Sequence, residues 1–64
     1  MKITLNGEPR DIRAGALDEA LAELGYAGVF ATAVNGDFVP VALRADRALA
    51  EGDRIEILAP RQGG

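Results

Sequence analysis

The chain has no cysteine, no histidine and no tryptophan. Without cysteine it has no disulfide to brace a short fold, no thiolate nucleophile and no thiol redox chemistry. Without histidine it lacks the imidazole base, and the two absences together remove the usual ligands of a zinc site. Two Phe and one Tyr make up the aromatics, too few for a platform on which bases stack. Cations are outnumbered seven to ten, for a net charge of −3. That balance argues against nucleic acid or an anionic membrane as partner. No apolar run approaches the length of about 20 residues that a membrane span needs, and Met1-Lys2-Ile3 does not open a secretory leader. The expectation is a soluble, cytoplasmic protein.

What is present is 64 residues, 48% hydrophobic and 27% charged, which is the composition of one small globular domain. A domain of this size hides only about 60% of its unfolded surface, so it has no room for a buried catalytic cleft. A binding module, a carrier or a small structural part remains.

Alternation with period two marks both ends of the chain. Met1, Ile3 and Leu5 alternate with Lys2, Thr4 and Asn6, and Asn6-Gly7 is a dipeptide that tolerates the positive φ of a type I′ hairpin. The returning segment 8–13 is polar, with Ile12 its core candidate, and Pro9 assigns it to a sheet edge. Leu17, Ala20, Leu21 and Leu24 then fall on one helical face. Asp18 and Glu19 complement the dipole of the first turn, and Gly25 fits the left-handed position that closes the helix. Gly15 or Ala16 must serve as N-cap, and neither side chain can accept a hydrogen bond. Val29 to Val34 reads as a third strand, with either Phe30/Thr32/Val34 or Val29/Ala31/Ala33 facing inward. Asn35-Gly36 is a second turn, and 37–39 a short strand stopped by Pro40. Segment 43–50 is irregular or one helical turn, anchored by buried Leu43 and Leu49. After the turn at Gly52-Asp53, the last strand, 54–58, points Ile55 and Ile57 inward. One helix covering one face of a mixed sheet of four to five strands is an α+β fold. With the last strand parallel to the first, it is the β-grasp, or ubiquitin-like, roll. Residues 1–59 form the domain, and 60–64 a flexible tail.

Few residues carry chemistry. Asp18, Glu19 and Glu23, with Asp11 nearby, could hold a metal or act as acid and base, but no softer ligand accompanies them. Helix-dipole logic explains two of the three, so they read as a solvated helix face and no metal site is assigned. Asp53 reads as a turn residue. The terminal Gly63-Gly64 is different, since at an average glycine usage of about 7% such a pair ends a chain by chance only about 0.5% of the time. Two residues without Cβ permit the close backbone approach of a narrow channel. Five extended residues, 60–64, reach at most about 16–18 Å. A carboxylate delivered in this way becomes an electrophile once activated, and no catalytic side chain is needed here.

Four stretches carry a resemblance: the opening strand with Asn6-Gly7; Ala33-Val34-Asn35-Gly36-Asp37-Phe38-Val39-Pro40; the run from Leu49 to Ile57; and Gly63-Gly64. Together they are similar, in order and length, to the ThiS family of sulfur carriers in thiamine biosynthesis. The resemblance implies a protein cosubstrate and not an enzyme. A ThiF-like adenylating enzyme would activate Gly64 with ATP and Mg²⁺, so that no cofactor is bound by this chain itself. A sulfur-donating enzyme would convert the adenylate to a thiocarboxylate, and thiazole synthase would accept the sulfur. Gly64 is then the modified residue, with Gly63, Gln62 and Arg61 required for insertion. The segment Ala59-Pro60-Arg61-Gln62 lacks the apolar lead-in frequent in thiamine carriers, and its proline is similar to that of the molybdopterin synthase small subunit. That subunit and a ubiquitin-like protein modifier are the alternative readings. Arg54, Glu56 and Leu58, on the non-core side of the last strand, are the candidate docking surface.

Overall fold

A computed structural model describes residues 1–59 of the chain. The order of elements is β1 (Lys2–Leu5), β2 (Glu8–Asp11), α1 (Leu17–Glu23), β3 (Ala31–Val34), β4 (Asp37–Val39), a 3₁₀ segment (Val41–Asp46) and β5 (Arg54–Leu58). The strands form one sheet in the order β2-β1-β5-β3-β4. β1 and β5 run parallel, and every other neighbouring pair is antiparallel. With α1 laid across one face, this is the β-grasp architecture.

Local chemistry explains the punctuation. Both Asn-Gly pairs take positive φ at both residues, Asn6 at 49° and Gly7 at 85°, Asn35 at 53° and Gly36 at 87°, which is the backbone of a type I′ hairpin. Pro9, which has no N–H to give to a ladder, lies on the edge strand. At the end of α1, Tyr26 N donates to Leu21 O (2.9 Å) and Gly25 N to Ala22 O (3.1 Å). These are the paired bonds of a Schellman motif, with Gly25 at φ 86° supplying the left-handed residue. The start of α1 has Ala16 as N-cap and no side-chain cap bond. Instead the chain after the 3₁₀ segment supplies an acceptor, Arg47 O, for Leu17 N at 2.9 Å. Tertiary structure does there what a serine or aspartate cap does elsewhere.

The core lies between α1 and the sheet. Leu17, Ala20 and Leu21 pack with Ile3, Leu5, Val34 and Ile55, closed at the margins by Ile12, Val39 and Leu49.

Two expectations need correction. The third strand begins at Ala31 and not at Val29, which is 83% exposed. Ala31 pairs with Leu58, the last residue of β5, so residues 29 and 30 have no β5 neighbour left to pair with. Of the two candidate faces, Thr32 and Val34 are buried and Phe30 half-buried, so the set that includes Phe30 faces inward. The second correction concerns Leu43, which is 53% exposed and anchors nothing, whereas Leu49 is buried. The residue that the 3₁₀ segment turns inward is Arg44, 8% exposed. Its long stem can fill an apolar space while its head finds hydrogen-bond acceptors.

Candidate functional site

Gly64, Gly63, Gln62 and Arg61, with the tail boundary at residue 60, lie outside the described residues. What the structure places is the strand that leads to them. Arg54, Glu56 and Leu58 are all exposed on the face of β5 away from α1, alternating with Ile55 and Ile57, which turn toward the core. The docking candidates therefore share one outer face.

β5 is held there from both sides by the two turn asparagines. Asn6 accepts from Ile57 N through Oδ1 (2.8 Å) and donates from Nδ2 to Ile57 O (3.3 Å). Paired ladder residues end with Leu5 opposite Ile55, so this side-chain amide continues the hydrogen bonding beyond the end of β1. On the other side Asn35 Oδ1 accepts from Arg54 N (2.9 Å), and its Nδ2 donates to Asp53 Oδ1 (2.9 Å). Asp53 Oδ2 accepts from Ala50 N (2.8 Å). The hydrogen bond from Asn35, then that from Ala50, holds the Asp53 carboxyl below the ordinary aspartate range. The turn role read for Asp53 is what these contacts describe. That the asparagine side chains also fix the last strand was not legible, because it requires knowing which strand lies beside each turn.

Register builds the rest of the surface. Ala33 pairs with Phe38 on one side and Glu56 on the other, and Ala31 pairs with Leu58. Paired residues share a face, so Phe38 (68% exposed) and Leu58 (75% exposed) stand on the outer face above two small alanines. An open groove of about 650 Å³ runs from there around the end of the sheet, between Val29, Val41 and Leu58, with Ala59 at its edge. Arg44 forms part of its wall. The Arg44 Nε donates to Thr32 Oγ1 (3.0 Å), and Nη2 donates to the Phe30 carbonyl (2.7 Å). Its guanidinium lies 4.6 Å from the centre of the Phe30 ring. The Thr32 hydroxyl in turn donates to Val39 O at 2.9 Å. Sequence alternation gave no sign of Arg44, since burial is read from apolarity and an arginine is scored as surface.

The acidic residues do not converge. Among the described residues no group of three acidic side chains is placed to hold a metal ion. Asp11 lies 3.7 Å from the Met1 amine, and Asp18 accepts from Glu19 N at 2.7 Å. Glu23 is not simply solvated, contrary to expectation. Its carboxylate accepts from Arg13 N (3.0 and 2.9 Å) and Ala14 N (3.0 Å), which ties the loop after β2 to the helix.

The fold and this surface can be set beside known proteins. A model of the ThiS family matches residues 3–64. The sulfur carrier protein ThiS of Thermus thermophilus is 38% identical over 64 residues, covering 97% of this chain and 98% of that protein. The crystal structure of the thiamine biosynthesis protein ThiS from Geobacter metallireducens superposes with a TM-score of 0.84 at 25% identity, over the whole of both chains. An NMR solution structure of a thiamine biosynthesis protein from the same organism gives 0.79 at 25% identity, over all of this chain and 88% of that one.

Proposed function

The chain belongs to the ThiS family, and we propose that it is a sulfur carrier for the thiazole ring of thiamine, acting through the carboxylate of Gly64. The observation that carries this reading is the family match running to residue 64, through the terminal Gly-Gly. In the proposed cycle an adenylating enzyme binds ATP and Mg²⁺, and the Gly64 carboxylate attacks the α-phosphorus. Pyrophosphate leaves, and the acyl carbon is now linked to AMP. Hydrosulfide supplied by a sulfur-donating enzyme then attacks the acyl carbon, AMP leaves with the carbon–oxygen bond broken, and a thiocarboxylate remains, whose sulfur is handed to thiazole synthase.

This chain's contribution is presentation and not catalysis. β5 fixes where the tail starts, and the outer face of Arg54, Glu56 and Leu58 gives a partner something to grip within reach of Gly64. Glycine at 63 and 64 keeps side chains out of the approach to the reacting carbon.

The test is intact mass after incubation with the cognate adenylating enzyme, ATP and a sulfur source. A carrier gains the mass of one sulfur in place of one oxygen. The chain lacking Gly64 should gain nothing and support no ATP–pyrophosphate exchange, while its circular dichroism stays that of the full chain. Exchange at the full rate by the truncated chain would sink the proposal. Transfer of the whole chain onto lysines of other proteins, with no sulfur gained, would indicate a protein modifier instead.

A further inference from the structure

Arg44 carries a charge that is nearly out of water and, among the described residues, has no counter-ion. At 8% exposure, desolvation of a guanidinium is costly unless something offsets it. The groups that do so are neutral: the Thr32 hydroxyl, the Phe30 carbonyl and the Phe30 ring. Among the described residues the ion pairs are Met1 amine–Asp11 and Arg10–Glu8, and no carboxylate pairs with Arg44. A guanidinium has five N–H donors, and these two hydrogen bonds engage two of them. The side chain also lines an open groove, and none of the described residues lining that groove is acidic. In a chain with ten acidic residues against seven basic, this is a local reversal of charge.

An apolar groove with one cation among the described residues of its wall selects a carboxylate carried beside an apolar group. We infer that a protein partner seats an Asp or Glu next to an apolar side chain in this groove, the carboxylate on Arg44 and the apolar group against Val29, Val41 and Leu58. A protein is the fitting occupant because the groove is open, runs on from the outer face of β5, and has Ala59 at its edge. The inference rests on the docking proposed above and adds the chemistry of the contact. Arg44 also pins the 3₁₀ segment to β3 through Nε and to Phe30, just before that strand, through Nη2, so the test must read something that pinning alone would not move.

Two peptides that differ only in charge provide it, acetyl-Leu-Asp-Leu-amide and acetyl-Leu-Asn-Leu-amide, titrated into the ¹⁵N-labelled chain. The Asp peptide should shift the Arg44 Nε–H and the amides of Ala31 and Leu58, and should bind at least about fivefold more tightly than the Asn peptide. Added salt should narrow the gap. In Arg44→Gln the preference should vanish, and in Arg10→Gln, an arginine on edge strand β2 and outside the groove, it should persist. Equal affinities for the native chain, or no shift at these sites with either peptide, would overturn the inference. So would loss of the preference in Arg10→Gln with retention in Arg44→Gln. Shifts at the groove that grow with protein concentration without peptide would assign it to a second copy of the chain, and equally overturn it. Should Arg44→Gln fail to fold, the two peptides on the native chain still decide. Neither enzyme nor ATP takes part, so failure here leaves sulfur loading untouched, and failed loading leaves this result standing.

Discussion

Glu23 stands on the exposed side of α1, yet it closes the loop behind the helix by accepting from two backbone N–H groups. Hydrogen bonds to a charged group contribute more than neutral ones, and exposure reduces that gain. Glu23→Ala should therefore cost about 1 kcal/mol, whereas Glu19→Ala, on the same solvated side, should stay within about 0.5 kcal/mol. Urea denaturation of both variants separates the two roles, and equal midpoints would show that the loop contact contributes nothing. Asp53 makes a second prediction at this scale. Its folded pKa lies below the reference value of 3.8, so the folded state binds fewer protons than the unfolded chain in that range. The stability it adds is fully present above the unfolded value and is lost as pH falls through the folded one. Stability of Asp53→Asn should consequently fall less steeply below about pH 4. Denaturation midpoints measured as a function of pH would show it, and identical acid limbs would contradict the contribution of the Asn35 and Ala50 bonds.

Elements whose cause is local were legible in the sequence. The helix follows from apolar spacing and Gly25, and both hairpins follow from Asn-Gly. Elements whose limits are set by a neighbour were not. β3 starts where β5 stops, and no property of Val29 or Phe30 announces it. The 3₁₀ segment turns Arg44 inward in place of Leu43, because a stem that packs and a head that finds Thr32 and Phe30 satisfy the site. The candidate site divides in the same way: Leu58, Glu56 and Arg54 follow from alternation within one strand, while Phe38, the alanine floor and Arg44 need the register between strands. For the helix the prediction is direct. Leu21 is 4% exposed at the centre of the α1 face, and Leu21→Ala should cost about 2–5 kcal/mol. Against a total stability of about 5–10 kcal/mol for so small a domain, that should unfold a measurable fraction without denaturant. A urea midpoint close to that of the native chain would mean that α1 presents another face.

At the scale of the whole molecule, the sheet order puts the last strand in the middle, between β1 and β3. The segment that leads to residue 59 is thus a central strand, hydrogen-bonded on both sides and held further by the side chains of Asn6 and Asn35. A partner that grips its outer face is coupled to residue 59 through rigid structure, so a docking contact there fixes how far Gly64 can reach. The helix carries its acidic residues on the opposite side of the sheet, away from that contact. Docking and long-range attraction are therefore separable. Leu58, 75% exposed beside the groove, should act on the bound complex, and Leu58→Asp should accelerate dissociation from the proposed adenylating partner. Glu23 is unsuitable for testing charge, because its replacement also releases the loop at Arg13 and Ala14. Glu19→Lys changes the helix charge without that complication. It should alter the association rate at low salt, lose the effect as salt is raised, and leave dissociation unchanged. Stopped-flow association and dissociation of both variants at two ionic strengths distinguish these outcomes. A normal dissociation rate for Leu58→Asp would move the docking surface off β5, and a faster dissociation of Glu19→Lys would put the helix in the interface.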